Sequence, residues 1–223
     1  MPRLFGRRSR PSQQPAAAPA PGPNMLRLFV AVELPPEVRR ALVVAMDMLR
    51  NAARSDALRW VRIDGVHLTL EFLGAVEESR ADAISAALRA GVRGLAPFDM
   101  TLLGLGSFGG RGQMRVVWLG VGGDGGALAD LADRVADSLE PLGFERDERG
   151  FNGHLTLARV RDDTPPAVRE RLHDLVMRFN APEFPWFRVE RISLMQSTLT
   201  PGGSIYRSLA TYPLEGDGTA PVP

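Results

Sequence analysis

The sequence predicts an α+β fold: bilobal, with two antiparallel sheets and flanking helices. Three observations carry that prediction. The tetrapeptide His-Leu-Thr-Leu occurs twice, at residues 67–70 and 154–157, 87 residues apart. Strand patterns come mostly in pairs joined by short turns, which is how antiparallel neighbours connect. Helical patterns separate those pairs, and the two tetrapeptides sit at comparable places in the two halves. The lobes are therefore expected to be related by pseudo-two-fold symmetry, with a cleft between them.

Taken in order, residues 1–24 are rich in Pro, Ala, Ser and Gln. Such a stretch buries too little apolar surface to offset its ordering entropy, so a disordered tail is expected. It lacks the apolar segment of a secretory signal. Met25, directly before the first strand pattern, is a candidate natural start. A single domain is expected over residues 25–214. Residues 26–32 read as a strand. Pro35-Pro36 then opens a helix to about residue 53, with Val38, Leu42, Ala45 and Leu49 on one face. Residues 58–63 form a short strand, Asp64-Gly65 a turn, and residues 67–73 the first motif strand.

A helix is expected over 77–92 through Ile84, Leu88 and Val92. Strands at 98–105 and 114–121 flank a glycine-rich run at 104–112. No Gly-Lys-Ser/Thr follows that run and no helix opens there, so it reads as a hairpin connection. Asp124 is placed to cap a helix at 127–140. After a charged loop at 143–150 comes the second motif strand, 154–160. Pro165-Pro166 opens a helix to about residue 179, in which His173 reads as a solvated surface residue. Strands at 187–196 and 205–212 flank the turn Pro201-Gly202-Gly203. Residues 215–223 are read as a loose tail.

Composition narrows the function classes. The 223 residues are 44% hydrophobic and 24% charged, as in a globular protein. Cysteine is absent, which removes disulfides and thiolate zinc sites and suits a reducing cytoplasm. No apolar run reaches the roughly 18 residues of a membrane span. Every basic residue is arginine, a fork suited to phosphate. The net charge of +1 is uneven: Arg3, Arg7, Arg8 and Arg10 sit in the tail, leaving −3 over residues 25–223. That body lacks the broad positive field of a duplex binder. A monomer is expected, and any nucleic-acid ligand should be small or engaged at one local basic site.

On a strand, His and Thr two residues apart share a face and the two Leu share the other. Two such strands would offer two imidazoles and two hydroxyls to one cleft. That set suits displacement at phosphorus: one neutral His takes a proton from water, and one protonated His gives a proton to the departing oxygen. Thr69 and Thr156 can bond non-bridging oxygens. Arg159 lies five residues after His154, so on a straight strand it faces the wrong way; reaching the site requires a bulge or a strand end. A metal reading competes, because two His and a carboxylate can hold iron or zinc. Glu71, an even step from His67, is the one carboxylate beside a motif. Nothing supports a serine-hydrolase elbow.

Several stretches together resemble the two-histidine (2H) phosphoesterase superfamily, and within it the RNA 2′,3′-cyclic phosphodiesterases, also called 2′-5′ RNA ligases. They are Arg27-Leu28-Phe29-Val30-Ala31, His67-Leu68-Thr69-Leu70-Glu71-Phe72-Leu73-Gly74, Val117-Trp118-Leu119-Gly120-Val121 and His154-Leu155-Thr156-Leu157-Ala158-Arg159. Ser197-x-Leu199 and Gly203-x-x-Tyr206 also fit, so the likeness covers about residues 25–213. The resemblance implies a bilobal fold, no metal or other cofactor, and opening of a 2′,3′-cyclic phosphate at an RNA end or nucleotide to a 2′-phosphate. It also implies reversibility towards 2′-5′ ligation. It makes His67 the proton donor, His154 the proton acceptor and Arg159 the phosphate arginine. One departure is Gly153, where the family usually has Pro before the second His. Phe29 and Phe151 are the candidates for stacking a base. The alternative is a module that binds RNA ends or nucleotides without turnover.

Overall fold

A computed structural model describes residues 24–146, 150–200 and 203–216. The expected disordered tail, up to residue 23, lies outside them, as do the charged-loop residues 147–149, the turn residues Pro201 and Gly202, and residues 217–223.

The elements run β1 (Met25–Glu33), α1 (Pro36–Ala53), β2 (Leu58–Trp60), β3 (His67–Glu77), α2 (Ala81–Gly91), β4 (Phe98–Phe108) and β5 (Val116–Gly123). Then come α3 (Gly125–Leu139), β6 (His154–Val160), α4 (Pro166–Arg178), β7 (Phe187–Val189), β8 (Arg191–Thr200) and β9 (Gly203–Pro213). They build two antiparallel sheets, one in the order β3-β1-β8-β9 and the other β2-β6-β5-β4-β7. In each, the motif strand pairs with a partner followed by two more strands: β3-β1-β8-β9 corresponds to β6-β5-β4-β7, and β2 adds to the β6 edge.

The helices form for the reasons the sequence supplies. Proline stands in the first turn of α1 and of α4. Asp124 caps α3, its Oδ1 accepting from the Ala127 N–H at 2.8 Å. The apolar stripe of α1 (Val38, Leu42, Ala45, Met46, Leu49) is buried. Leu68 and Leu155, the second residues of the two motifs, are fully buried, and Leu70 and Leu157 join them in the main core. Each such leucine contributes roughly 1.5–3 kcal/mol by leaving water. The glycine-rich run makes the β4–β5 hairpin. Gly109 has φ +104°, and a Cβ there would fall 1.9 Å from the Gln113 carbonyl oxygen, so the turn demands glycine.

Several expectations need correction. The helix expected from residue 77 starts later: β3 runs to Glu77, a 3₁₀ turn covers Glu78–Arg80, and α2 begins at Ala81. The strand expected over 187–196 is two strands in different sheets. Phe187–Val189 pairs with β4, whereas Arg191–Thr200 pairs with β1 and β9. The chain crosses between sheets at Glu190, and the alternation of buried residues shifts there, from Phe187 and Val189 to Ile192 and Leu194. His173 is not a freely solvated surface residue. It is half-buried, with Nδ1 2.9 Å from the Ser107 hydroxyl oxygen on β4. The chain past Leu214 also stays attached for two residues more, because Gly216 N–H donates to the Leu95 carbonyl at 2.8 Å.

Candidate active site

β3 and β6 belong to different sheets and approach each other. Each motif strand carries a one-residue bulge at the same place, and β3 carries a second at Leu73. Along β1, Ala31 pairs with Thr69 but Val30 pairs with Glu71, leaving Leu70 unpaired. Along β5, Trp118 pairs with Thr156 but Val117 pairs with Ala158, leaving Leu157 unpaired. A bulge uses one residue without advancing the ladder, so it reverses the facing of everything after it.

On β6 this turns Arg159 onto the face of His154 and Thr156, as the burial along His154–Val160 records: half-buried at 154 and 156, buried at 155, 157 and 158, exposed at 159. The bulge that Arg159 required is therefore present. On β3 the same device takes Glu71 away from the face of His67, because its partner Val30 points into the main core. It brings Phe72 onto that face, opposite Phe29. Phe72 thus stands five residues after His67 as Arg159 stands five after His154.

Each imidazole is anchored to the carbonyl two residues upstream. His154 Nδ1 donates to the Asn152 carbonyl at 2.8 Å, and His67 bonds the backbone of Gly65. A carbonyl only accepts, so Nδ1 of His154 carries the hydrogen and Nε2 is left as the basic nitrogen. The surroundings of the two rings differ. His67 stacks on Phe29, with centroids 4.5 Å apart and planes at 27°, and meets Tyr206 edge-on at 5.0 Å. Burial pushes its pKa down to about 4 despite the bond to Gly65, and Arg39 adds to the lowering. His154 meets Phe108 edge-on at 4.9 Å and Trp118 at 6.4 Å. Burial lowers its pKa as well, and Arg159 contributes in the same direction. Arg159 is itself affected: desolvation lowers its pKa, partly offset by the Tyr206 phenol. Tyr206 thus reaches both motifs, touching the His67 ring and lying within electrostatic reach of Arg159.

The two aromatic candidates for base stacking lie differently. Phe29 is 3% exposed and its face is occupied by His67. Phe151 is half-buried and packs against the main core. Phe72, by contrast, is 53% exposed, 6.3 Å from the Phe29 ring. Gly153 lies close against its neighbours. A Cβ at that position would lie 2.9 Å from Val121 Cγ2 and 3.1 Å from Leu128 Cδ2, so those two side chains would have to shift to admit a larger residue. Among the described residues, no three of His, Cys, Asp and Glu converge as a metal donor set.

Residues 24–200 match the family model described as the 2′-5′ RNA ligase superfamily. The chain belongs to that superfamily. It is 34% identical over 187 residues to an RNA 2′,3′-cyclic phosphodiesterase of Archaeoglobus fulgidus, covering 84% of this chain and 99% of that one. It is 33% identical over 189 residues to the enzyme of the same name from Methanothermobacter thermautotrophicus, with 85% and 99% covered. Among solved structures, a Thermus thermophilus protein aligns with TM-score 0.68 at 30% identity, over 86% of this chain and all of that one. Escherichia coli LigT in complex with 3′-AMP aligns with TM-score 0.65 at 27% identity, over 85% and 98%.

Tyr206 and Phe72 belong to the stretches that carry the resemblance, which gave them no role. A signal for Phe72 is present in the sequence, since it shares with Arg159 the spacing of five from a motif histidine. Tyr206 lies on β9, far from both motifs in sequence, and only the fold brings it to them.

Proposed function

We propose that this member of the superfamily hydrolyses 2′,3′-cyclic phosphate ends of RNA or nucleotides to 2′-phosphates. The observation that carries the reading is the bulge at Leu157, which puts Arg159 on the face of His154 and Thr156. The activity for which its relatives are named points the same way.

In this reading Nε2 of His154 takes a proton from water as the water oxygen bonds to phosphorus. The bond from phosphorus to O3′ breaks, and His67 gives O3′ its proton. Water and the cyclic diester become a 3′-hydroxyl and a 2′-phosphate, and solvent returns the proton from His154 to His67. Thr69, Thr156 and Arg159 hold the non-bridging oxygens, where charge develops. Lowered pKa suits His154, which is then neutral and basic near pH 7. His67 is also neutral near pH 7 in the free protein, so the phosphate anion must supply the field that protonates it. The base stacks on Phe72, since the face of Phe29 is taken. The same two histidines would run the reverse 2′-5′ ligation.

The test is a nucleoside 2′,3′-cyclic phosphate incubated with the protein in EDTA, with the product resolved by chromatography. A nucleoside 2′-phosphate at undiminished rate is expected. A 3′-phosphate product, loss of turnover in EDTA, or binding without turnover would each sink the reading.

A further inference from the structure

Arg59 stands directly opposite Arg159 across β2 and β6. Cross-strand partners share a face, so Arg59 belongs to the same face as Arg159, His154 and Thr156. Its neighbours Leu58 and Trp60 take the other face, where Arg50 of α1 lies over the Trp60 ring at 5.1 Å. Like charges placed directly opposite on a sheet are destabilising, because each side chain is held in the field of the other. Other arginines among the described residues have partners of their own. Arg161 donates from Nε to the Asp56 carbonyl at 2.7 Å, Arg169 donates to the Thr164 and Arg161 carbonyls, and Arg146, Arg111 and Arg188 pair with aspartates. Arg59 is exposed and makes no hydrogen bond or ion pair with the described residues.

The two arginines also line one open concavity, together with Val160, Arg161, Asp162 and Asp163. A pair of guanidinium groups at adjacent ladder positions on a concave face is what two neighbouring anionic groups would satisfy. The two aspartates at its rim limit the excess of positive charge to that of a short site, not a long track.

We propose that Arg59 is a specificity-determining residue that binds the phosphodiester immediately 5′ of the terminal nucleotide, so that the protein prefers RNA ends over mononucleotides. This rests on Arg159 holding the terminal phosphate, as the proposed function has it. A mononucleotide carries no second phosphate and leaves Arg59 unused. An oligonucleotide places its penultimate phosphate beside Arg59.

The experiment compares, by calorimetry, binding of a nucleoside 2′-phosphate and of a dinucleotide ending in a 2′-phosphate. The proteins are the wild type, Arg59→Gln, and Arg178→Gln as a control that loses the same charge from exposed α4 surface. The wild type should bind the dinucleotide more tightly. Arg59→Gln should lose about three- to ten-fold on the dinucleotide, less than two-fold on the mononucleotide, and lower the dinucleotide's salt slope by ~0.7. Arg178→Gln should behave as wild type. The inference is overturned if the wild type does not favour the dinucleotide, if Arg59→Gln weakens both ligands equally, or if both variants lose equally. Turnover of a cyclic-phosphate dinucleotide is measured alongside. No turnover with the binding pattern intact would reject the phosphodiesterase reading and leave this one standing.

Discussion

The two motif strands differ less in backbone than in what the backbone presents. β3 and β6 each begin with His-Leu-Thr-Leu, each anchor the histidine ring to the carbonyl two residues upstream, and each bulge at the fourth motif residue. The bulge then delivers a different fifth residue to the shared face: Phe72 from β3, Arg159 from β6. The first lobe is the apolar one, with His67 boxed between Phe29 and Tyr206. The second carries the charge, with Arg159 and Arg59 side by side. Repetition of a local device thus supplies a symmetric pair of imidazoles, and one residue per strand breaks the symmetry, in the proposed function into a base side and a phosphate side.

The largest effect should come from removing what the strands have in common. His67→Ala and His154→Ala should each lower kcat by about 10²–10⁴, and the double variant should cost little more than the worse single one, since both act in one step. Near-full activity in either single variant, measured on a cyclic mononucleotide, would end the two-histidine account. His173→Ala removes the bond to Ser107, in which neither motif histidine takes part, and should leave kcat unchanged.

The fifth residues should separate. Arg159→Lys keeps the charge but loses the planar fork, so kcat should fall, by about ten-fold or more. Phe72→Ala should act mainly on KM, by the roughly 1–3 kcal/mol of base stacking, with little dependence on which base is present. If Phe72→Ala lowers kcat and spares KM, the division into a base side and a phosphate side is wrong.

This division is only partly legible in the sequence. The repeat is plain, and so is the parity problem at Arg159: a five-residue step on a regular strand faces away. What the sequence does not show is that the strand is irregular, because a bulge is set by the register with β5 and β1 rather than by the local residues. The same holds for Glu190, where two short apolar patterns read as one strand because each alone is compatible with a single ladder. His173 reads as solvated from its neighbours in sequence because its partner, Ser107, lies 66 residues away. Phe29 lies on the strand expected of it, but its burial under His67 depends on the motif ring folding back over it.

A smaller effect should appear in stability against acid. The unfolded His67 titrates near 6.5 and the folded one near 4, so between those values the unfolded chain binds the extra proton. Stability should therefore fall as pH drops from about 6.5 towards 4, with His67 contributing up to about 3 kcal/mol of the loss. His67→Gln should show a shallower slope in that window when urea unfolding is followed at several pH values. Equal slopes would mean that the ring is not buried as described.

The most direct measurement is a histidine-detected NMR titration, which three histidines make readable, in the free protein and with a nucleoside 2′-phosphate bound. In the free protein both motif rings should titrate below 6.5, His67 near 4. Bound phosphate should raise both, because one anion lies between them. A His67 that titrates near 6.5, or one motif ring that does not respond to the nucleotide while the other does, would contradict a single phosphate site shared by the two strands.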